Sequence, residues 1–299
     1  MRNRAFRLSI APAAPIVLVW LLVSTHAAGQ ASGGGRPQTV AGCPAASQAF
    51  YPCAKAKAQA FNPPRMPDGK PDMNGAWTAP TASGSQNIED YAGDIFLNPA
   101  KSLIVDPADG KVPYQPQWAA KKQENLKEYI DPMGSCYAPG IPRQVYSPRG
   151  LNILQSPGVF AIVNELSHFY RMIPTDGSPH IGHDIRLYMG DSRGRWEGNT
   201  LVVDTTNLTE RTWLDIVGDF HSDRLHVTER FRLVDPDTIL YETTLEDPTV
   251  FTQPWMMAFP LRRAEKGHEL MEEACYEDDH DLPHMLSNGF KIYLGLPPK

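Results

Sequence analysis

From residue 151 onward the chain alternates apolar and polar positions in short runs, each closed by a turn signal. Residues 151–155 turn at Ser156-Pro157-Gly158 into 159–165, and 168–173 end at Asp176-Gly177-Ser178. Arg195-Trp196 turns through Glu197-Gly198-Asn199 into 201–206. Residues 225–234 turn at Asp235-Pro236-Asp237 into 239–246, and 259–263 turn at Lys266-Gly267 into 268–275. Strands joined so tightly pair antiparallel, as a meander. The lack of crossover helices between them excludes a parallel α/β sheet. About eight or nine strands of this kind hide their edges by closing into a barrel, and such a barrel has room for one small ligand.

Upstream of this region the periodicity changes. Pro116 suits a first helical position, and 117–130 then form a helix whose Trp118, Leu126, Tyr129 and Ile130 share one face until Asp131-Pro132 stops it. Residues 74–77 read as a first strand, and 80–114 as irregular, punctuated by Pro80, Pro99, Pro107 and Pro113. Residues 28–72, rich in Gly, Pro, Ala and Gln, show no sustained apolar period and read as an irregular N-terminal segment. The expected fold is mainly β: an antiparallel meander closing into a lipocalin-like barrel over 73–299, with one peripheral helix.

The first residues read as an export signal. Arg2, Arg4 and Arg7 precede an apolar run centred on 16–23, and Thr25, Ala27 and Gly29 supply small residues for cleavage, so 1–27 is the expected signal peptide. That run is shorter than the ~20 residues a membrane span needs. The mature protein is therefore expected to be secreted or periplasmic and to carry no transmembrane segment. Val40-Ala41-Gly42-Cys43 has the form of a lipobox, but the polar, Gly-rich stretch 30–39 separates it from the apolar run. Ordinary cleavage is the preferred reading and lipid anchoring at Cys43 the alternative.

Export changes how charge and cysteine are read. Loss of 1–27 removes three arginines and no acid, carrying the net charge from −6 to −9. An acidic surface argues against nucleic acid or anionic membrane as a partner and leaves a small molecule. In an oxidising compartment the four cysteines are expected in disulfides. Three connectivities are open, with Cys43–Cys53 and Cys136–Cys275 preferred. Their spacing is not that of a zinc site, and a free catalytic Cys136 or Cys275 is the sharper alternative.

Several blocks carry a family likeness. They are Cys136 with Pro142-Arg143, Asp176-Gly177-x-Pro179-His180, the run from Ser192 to Thr205, Thr212-Trp213-Leu214-Asp215, the run from His221 to Phe231, and Cys275 with Glu277. In these the chain resembles an uncharacterised family of secreted β-rich bacterial proteins of acidobacterial and proteobacterial type. The resemblance implies export and a single β domain, and brings no activity with it. Asp278-Asp279-His280-Asp281 departs from that family's usual Asn-containing continuation. Gly75-x-Trp77 resembles the G-x-W entry of lipocalins.

Few positions offer chemistry. Gly190-Asp191-Ser192-Arg193-Gly194 fits the G-x-S-x-G pattern, but a hairpin follows where a nucleophile elbow needs a helix, so the pattern reads as a turn. Glu229 falls on the inward, otherwise apolar face of its strand with Leu225, Val227, Phe231 and Leu233. It is either a general acid with a raised pKa or the partner of an arginine: Arg143, Arg171 or Arg195. His221 and Asp215 form an oriented acid–base pair if their loops share the barrel mouth, where Trp213 and Trp255 would offer stacking surfaces and Arg143 or Arg230 an anion contact. His226 and Arg230 point outward, toward solvent. His180-x-x-His183-Asp184 and the pair His280, His284 are weak metal patterns, the second weakened by Pro283.

The expected function is binding of a small apolar or glycosidic ligand in a secreted barrel, without a cofactor or metal. The alternatives are an exported hydrolase or lyase using Glu229, His221 and Asp215, and an envelope-associated interaction protein. A single conformational fact separates them: whether Arg143, Trp213, Asp215, His221 and Glu229 converge on one cavity.

Overall fold

The structure, a computed structural model, describes residues 40–44, 47–79, 87–92, 101–148, 150–166, 169–275, 277, 279 and 281–296. The expected signal, 1–27, lies outside the described residues, and every described helix and strand belongs to the unit spanning 35–299. No helix among the described residues is long and apolar enough to cross a membrane.

The strands are β1 (Gly75–Thr78), β2 (Ile104–Asp106), β3 (Tyr129–Ile130), β4 (Leu151–Ser156), β5 (Val159–Asn164) and β6 (Tyr170–Pro174). They continue with β7 (Asp191–Glu197), β8 (Thr200–Thr206), β9 (His226–Asp235), β10 (Thr238–Glu246), β11 (Trp255–Arg263) and β12 (Lys291–Ile292). The helices are α1 (Ser47–Ala60), α2 (Lys121–Glu128), α3 (Arg143–Tyr146) and α4 (Asp281–Ser287).

Ten strands form one antiparallel sheet in the order β6-β5-β4-β1-β11-β10-β9-β8-β7, with β2 also on β11. Two meanders, β4 to β6 and β7 to β11, are thus joined by β1, which pairs Trp77 with Leu151 on one side and Arg263 on the other. The sheet rolls until its edge strands β6 and β7 lie side by side, nearly closing a barrel. Gly194 makes that approach possible: a Cβ there would stand 2.8 Å from Thr175 Cγ2 and 3.1 Å from Ile173 Cγ2.

Alternate positions point into the barrel, as period two requires. The lumen is filled rather than hollow. Phe231 meets Tyr241 at 5.0 Å between ring centroids, Tyr241 meets Phe259 at 4.9 Å, and Phe160 and Tyr146 extend the stack. One end carries the β4–β5, β7–β8 and β9–β10 turns. Over the other fold the longer connections and α2, held by Tyr146 Oη donating to the Leu214 carbonyl and Trp118 Nε1 donating to the Thr249 carbonyl.

Three expectations need correction. Residues 28–72 are not irregular throughout, because α1 spans 47–60 and lies across the outer face of β9 and β10. Its apolar stripe, Phe50, Ala54 and Ala58, packs on Val234 and Leu240. Alanines carry most of that stripe and Pro52 interrupts it, so the hydropathy pattern is faint. The Cys43–Cys53 disulfide pins the helix to the turn before it. The helix expected over 117–130 is shorter: a 3-10 turn at Pro116–Trp118, then α2, and Tyr129 and Ile130 leave it as β3 to pair in parallel with β12. Finally, 268–275 is not a strand. β11 ends at Arg263, the expected turn forms at Lys266-Gly267, and β1 takes the pairing position beside β11. The acidic run Glu269 to Glu273 offers no alternating apolar face to bury there.

Both preferred disulfides are present, Cys43–Cys53 and Cys136–Cys275, and no described cysteine is free. They fit an extracellular or periplasmic setting. The Cys43 sulfur is thereby committed, which leaves it without the thiol that lipid anchoring requires.

Candidate functional site

The residues that sequence singled out do not converge on one cavity. Glu229 sits in the lumen with no solvent exposure, in a forked ion pair with Arg171 of β6. Tyr241 Oη donates to Glu229 Oε1 at 2.8 Å. Arg171 also donates from Nε to Ser192 Oγ at 2.8 Å and from Nη2 to Thr205 Oγ1 at 2.7 Å. Every charge in this cluster is met, so Glu229 takes the arginine-paired reading and Ser192 is an inward-facing hydrogen-bonding group rather than a nucleophile.

His221 and Asp215 are both fully buried beneath the connections of the closed end, and neither bonds the other. His221 Nδ1 faces the Ser222 carbonyl at 2.9 Å, so it must donate there, leaving Nε2 to accept from Thr212 Oγ1 at 2.8 Å. Burial lowers its pKa, keeping the imidazole neutral. Asp215 accepts backbone N–H bonds from Ile88, Val217 and Asp219. Burial, reinforced by the Asp219 carboxylate, pushes Asp215 well above the usual carboxylate range. Asp219 in turn accepts from Tyr114 Oη at 2.9 Å and pairs with Lys122 at 2.7 Å. This is a buried network that fastens loops, not an acid–base pair open to substrate.

The remaining expected contacts are also structural. Arg143 is buried in a two-pronged bond to Asp131, at 2.7 and 2.6 Å. Trp213 packs edge-on against Tyr293 and Trp255 edge-on against Phe251, and both indoles are buried. Arg230 lies on the outer sheet face and bonds Glu197 at 2.8 Å.

Two outer-face histidines are not left to solvent. His226 Nε2 meets Asp204 Oδ1 at 2.6 Å, and His180 Nε2 meets Asp204 Oδ2 at 2.8 Å. His180 Nδ1 meets Asp191 Oδ2 at 2.7 Å, and Arg193 bonds the other Asp191 oxygen. The network clamps the 175–190 connection onto β7, β8 and β9. His183 and Asp184 instead pair with each other, nearly fully exposed, so His180, His183 and Asp184 do not share a centre. α4 forms despite Pro283, which occupies its first turn and so displaces no internal hydrogen bond; His280 lies outside the described residues.

Open volume lies instead at the turn end. A cleft of about 390 Å³ is bounded by the β4–β5 turn, the end of β6, the β7–β8 hairpin and a flap around Met66–Lys70. Phe160 and Gly194 form its floor, Trp196 one wall, and Asp68, Lys70 and Asp176 its polar rim. The flap is fastened at both ends. Arg65 Nη2 donates to Asn199 Oδ1 at 2.8 Å, and Gln155 Nε2 donates to the Pro71 carbonyl at 3.0 Å. The Ser178 hydroxyl and backbone amide hold Asp176 below the ordinary carboxylate range, so it stands as an ionised acceptor. In sequence Trp196 stood only as the residue before the Glu197-Gly198-Asn199 turn, with no site role, and the flap beside it left no signal there.

No family model matches the chain, and no curated protein or solved structure shows significant similarity to it.

Proposed function

We propose that the chain is an exported β-barrel protein that binds a small glycosidic ligand at the open mouth of the barrel. The observation that carries this reading is the cleft beneath the flap, with a partly exposed Trp196 face beside ionisable and hydroxyl-bearing groups. A sugar ring offers an apolar C–H face to an indole and hydroxyls to a polar rim. The aromatic filling of the lumen keeps the ligand at the mouth. The signal-like N-terminus, the two disulfides and the resemblance to a secreted family support export.

Titration of the folded protein with a panel of neutral mono- and disaccharides, followed by tryptophan fluorescence and calorimetry, tests the binding. At least one sugar should bind saturably, and Trp196→Ala should weaken it by about tenfold or more, the scale of a lost stacking contact. Binding by no member of the panel, or binding indifferent to Trp196→Ala, would remove the proposal. Mass spectrometry of the protein recovered from the producing cell's periplasm or medium tests export, with a mature N-terminus expected just after Ala27 or Gly29.

A further inference from the structure

A second concave site lies outside the barrel, between α1 and the outer face of β8 to β11. It encloses about 360 Å³. Tyr51, Lys55 and Ala58 of α1 form one wall, and Arg230, Arg232 and Glu242 of the sheet form the other, over a floor that includes Leu240 and Met256. Three cations and one carboxylate thus line a groove on a chain whose overall charge is −6.

The single carboxylate is engaged from the helix side through one of its oxygens. Tyr51 Oη donates to Glu242 Oε1 at 2.6 Å, and Lys55 Nζ donates to Tyr51 Oη at 3.1 Å. Arg230 is held at the rim by Glu197. Arg232 donates from Nε to the Ala58 carbonyl at 2.8 Å, which fixes the guanidinium plane. Among the described residues neither Arg232 nor Lys55 forms an ion pair. Arg230 and Arg232 are two apart on β9, so both side chains project from the same sheet face.

We propose that this groove binds a small organic oxyanion, its charged group held by Arg230, Arg232 and Lys55 and its body resting on Leu240 and Met256. A guanidinium with a fixed plane and free terminal nitrogens suits the two oxygens of a carboxylate, sulfate or phosphate. The Ala58 carbonyl supplies that fixing before any ligand arrives. The short disulfide loop Cys43–Cys53 holds the α1 wall in place, so the site is preorganised. It shares no lining residue with the mouth cleft and stands or falls separately from it.

The test uses the intact folded chain at low ionic strength, with acetate, inorganic sulfate and inorganic phosphate as separate probes. Amide chemical shifts of Lys55, Arg230 and Arg232 should move saturably with at least one anion, and the ranking of the three identifies the charged group. Arg232→Gln should weaken that binding by about tenfold, Arg232→Lys by less, and Trp196→Ala not at all. Lys55→Gln, at an exposed helix position, repeats the test in a variant whose fold is not at issue. Absence of a saturable response to all three anions overturns the proposal. So does a response that Arg232→Gln and Lys55→Gln leave unchanged.

Discussion

Arg171 reaches from one edge strand of the sheet across the seam to Glu229, two strands beyond the other edge. The strands β6 and β7 share no backbone ladder among the described residues, and this ion pair, with Ser192 and Thr205 on the way, bonds the two edges of the nearly closed barrel.

Glu229→Gln should therefore act on stability and not on binding. Removing one partner of a buried pair leaves the other charge uncompensated, which costs ~3–5 kcal/mol. Urea denaturation should show that loss, while the mouth cleft of the remaining folded protein keeps its ligand affinity. An unfolding midpoint equal to the parent's would show that the pair does not close the barrel.

Much of the barrel was legible because alternation records which strand face is buried. Leu201, Val203, Val227 and Phe231 stand inward where period two puts them. What pattern could not show was pairing between strands distant in the chain, such as β1 between β4 and β11. Glu229 was legible as an inward carboxylate, but whether it was a general acid or an arginine's partner, and which of three arginines, depended on how the sheet closed. His221 and Asp215 misled for a related reason. Loop residues carry no periodicity, so nothing in sequence distinguished a buried hydrogen-bonded histidine from one at an open mouth. The alanine stripe of α1 escaped because burial there comes from small side chains.

The His226–Asp204 pair gives stability a dependence on pH. The hydrogen bond that His226 donates to Asp204 raises the His226 pKa although burial opposes it, and the same bond lowers the pKa of Asp204. A raised histidine contributes fully below its unfolded pKa of ~6.5 and loses that contribution as pH climbs through its folded value. A depressed aspartate contributes above ~3.9 and loses it as pH falls through its own folded value. Between those limits the pair should be at its strongest. Both groups are about one-third exposed, so solvent screening holds the effect to below ~1 kcal/mol. Thermal midpoints measured from pH 5 to 9 should decline less steeply in His226→Asn than in the parent; parallel profiles would contradict the assignment.

The two disulfides should differ in what they stabilise. Cys136–Cys275 joins positions 139 apart and fastens the strandless 264–275 segment to the barrel, whereas Cys43–Cys53 spans 10 residues. Closing the longer loop restrains the unfolded chain more, so Cys136→Ser with Cys275→Ser should cost ~2–5 kcal/mol. Cys43→Ser with Cys53→Ser should cost less globally and chiefly loosen α1. Hydrogen exchange resolved by residue separates these outcomes: protection lost across β7 to β11 in the second variant would contradict them.

Gly194 is the sharpest test of how the barrel closes, because its backbone is ordinary and only space is at issue. A methyl at this position meets Thr175 Cγ2 at 2.8 Å, closer than real Cβ atoms come, and Ile173 Cγ2 at a tight 3.1 Å, both on the opposite side of the seam. Thr175 must shift and Ile173 give way by a few tenths of an ångström, which strains the seam that the Arg171–Glu229 fork spans. Gly194→Ala should cost ~1–3 kcal/mol, the scale of overpacking in a filled interior. Gly194 also lines the mouth cleft, so the same methyl should weaken any ligand seated on Trp196. Gly198→Ala is the useful comparison. Its glycine has a φ of +60°, so alanine there carries backbone strain, yet no atom lies within 4 Å of the added Cβ and it does not line the cleft. It should lose stability while keeping ligand affinity, whereas Gly194→Ala loses both. Equal affinities in the two variants would place the ligand away from the seam.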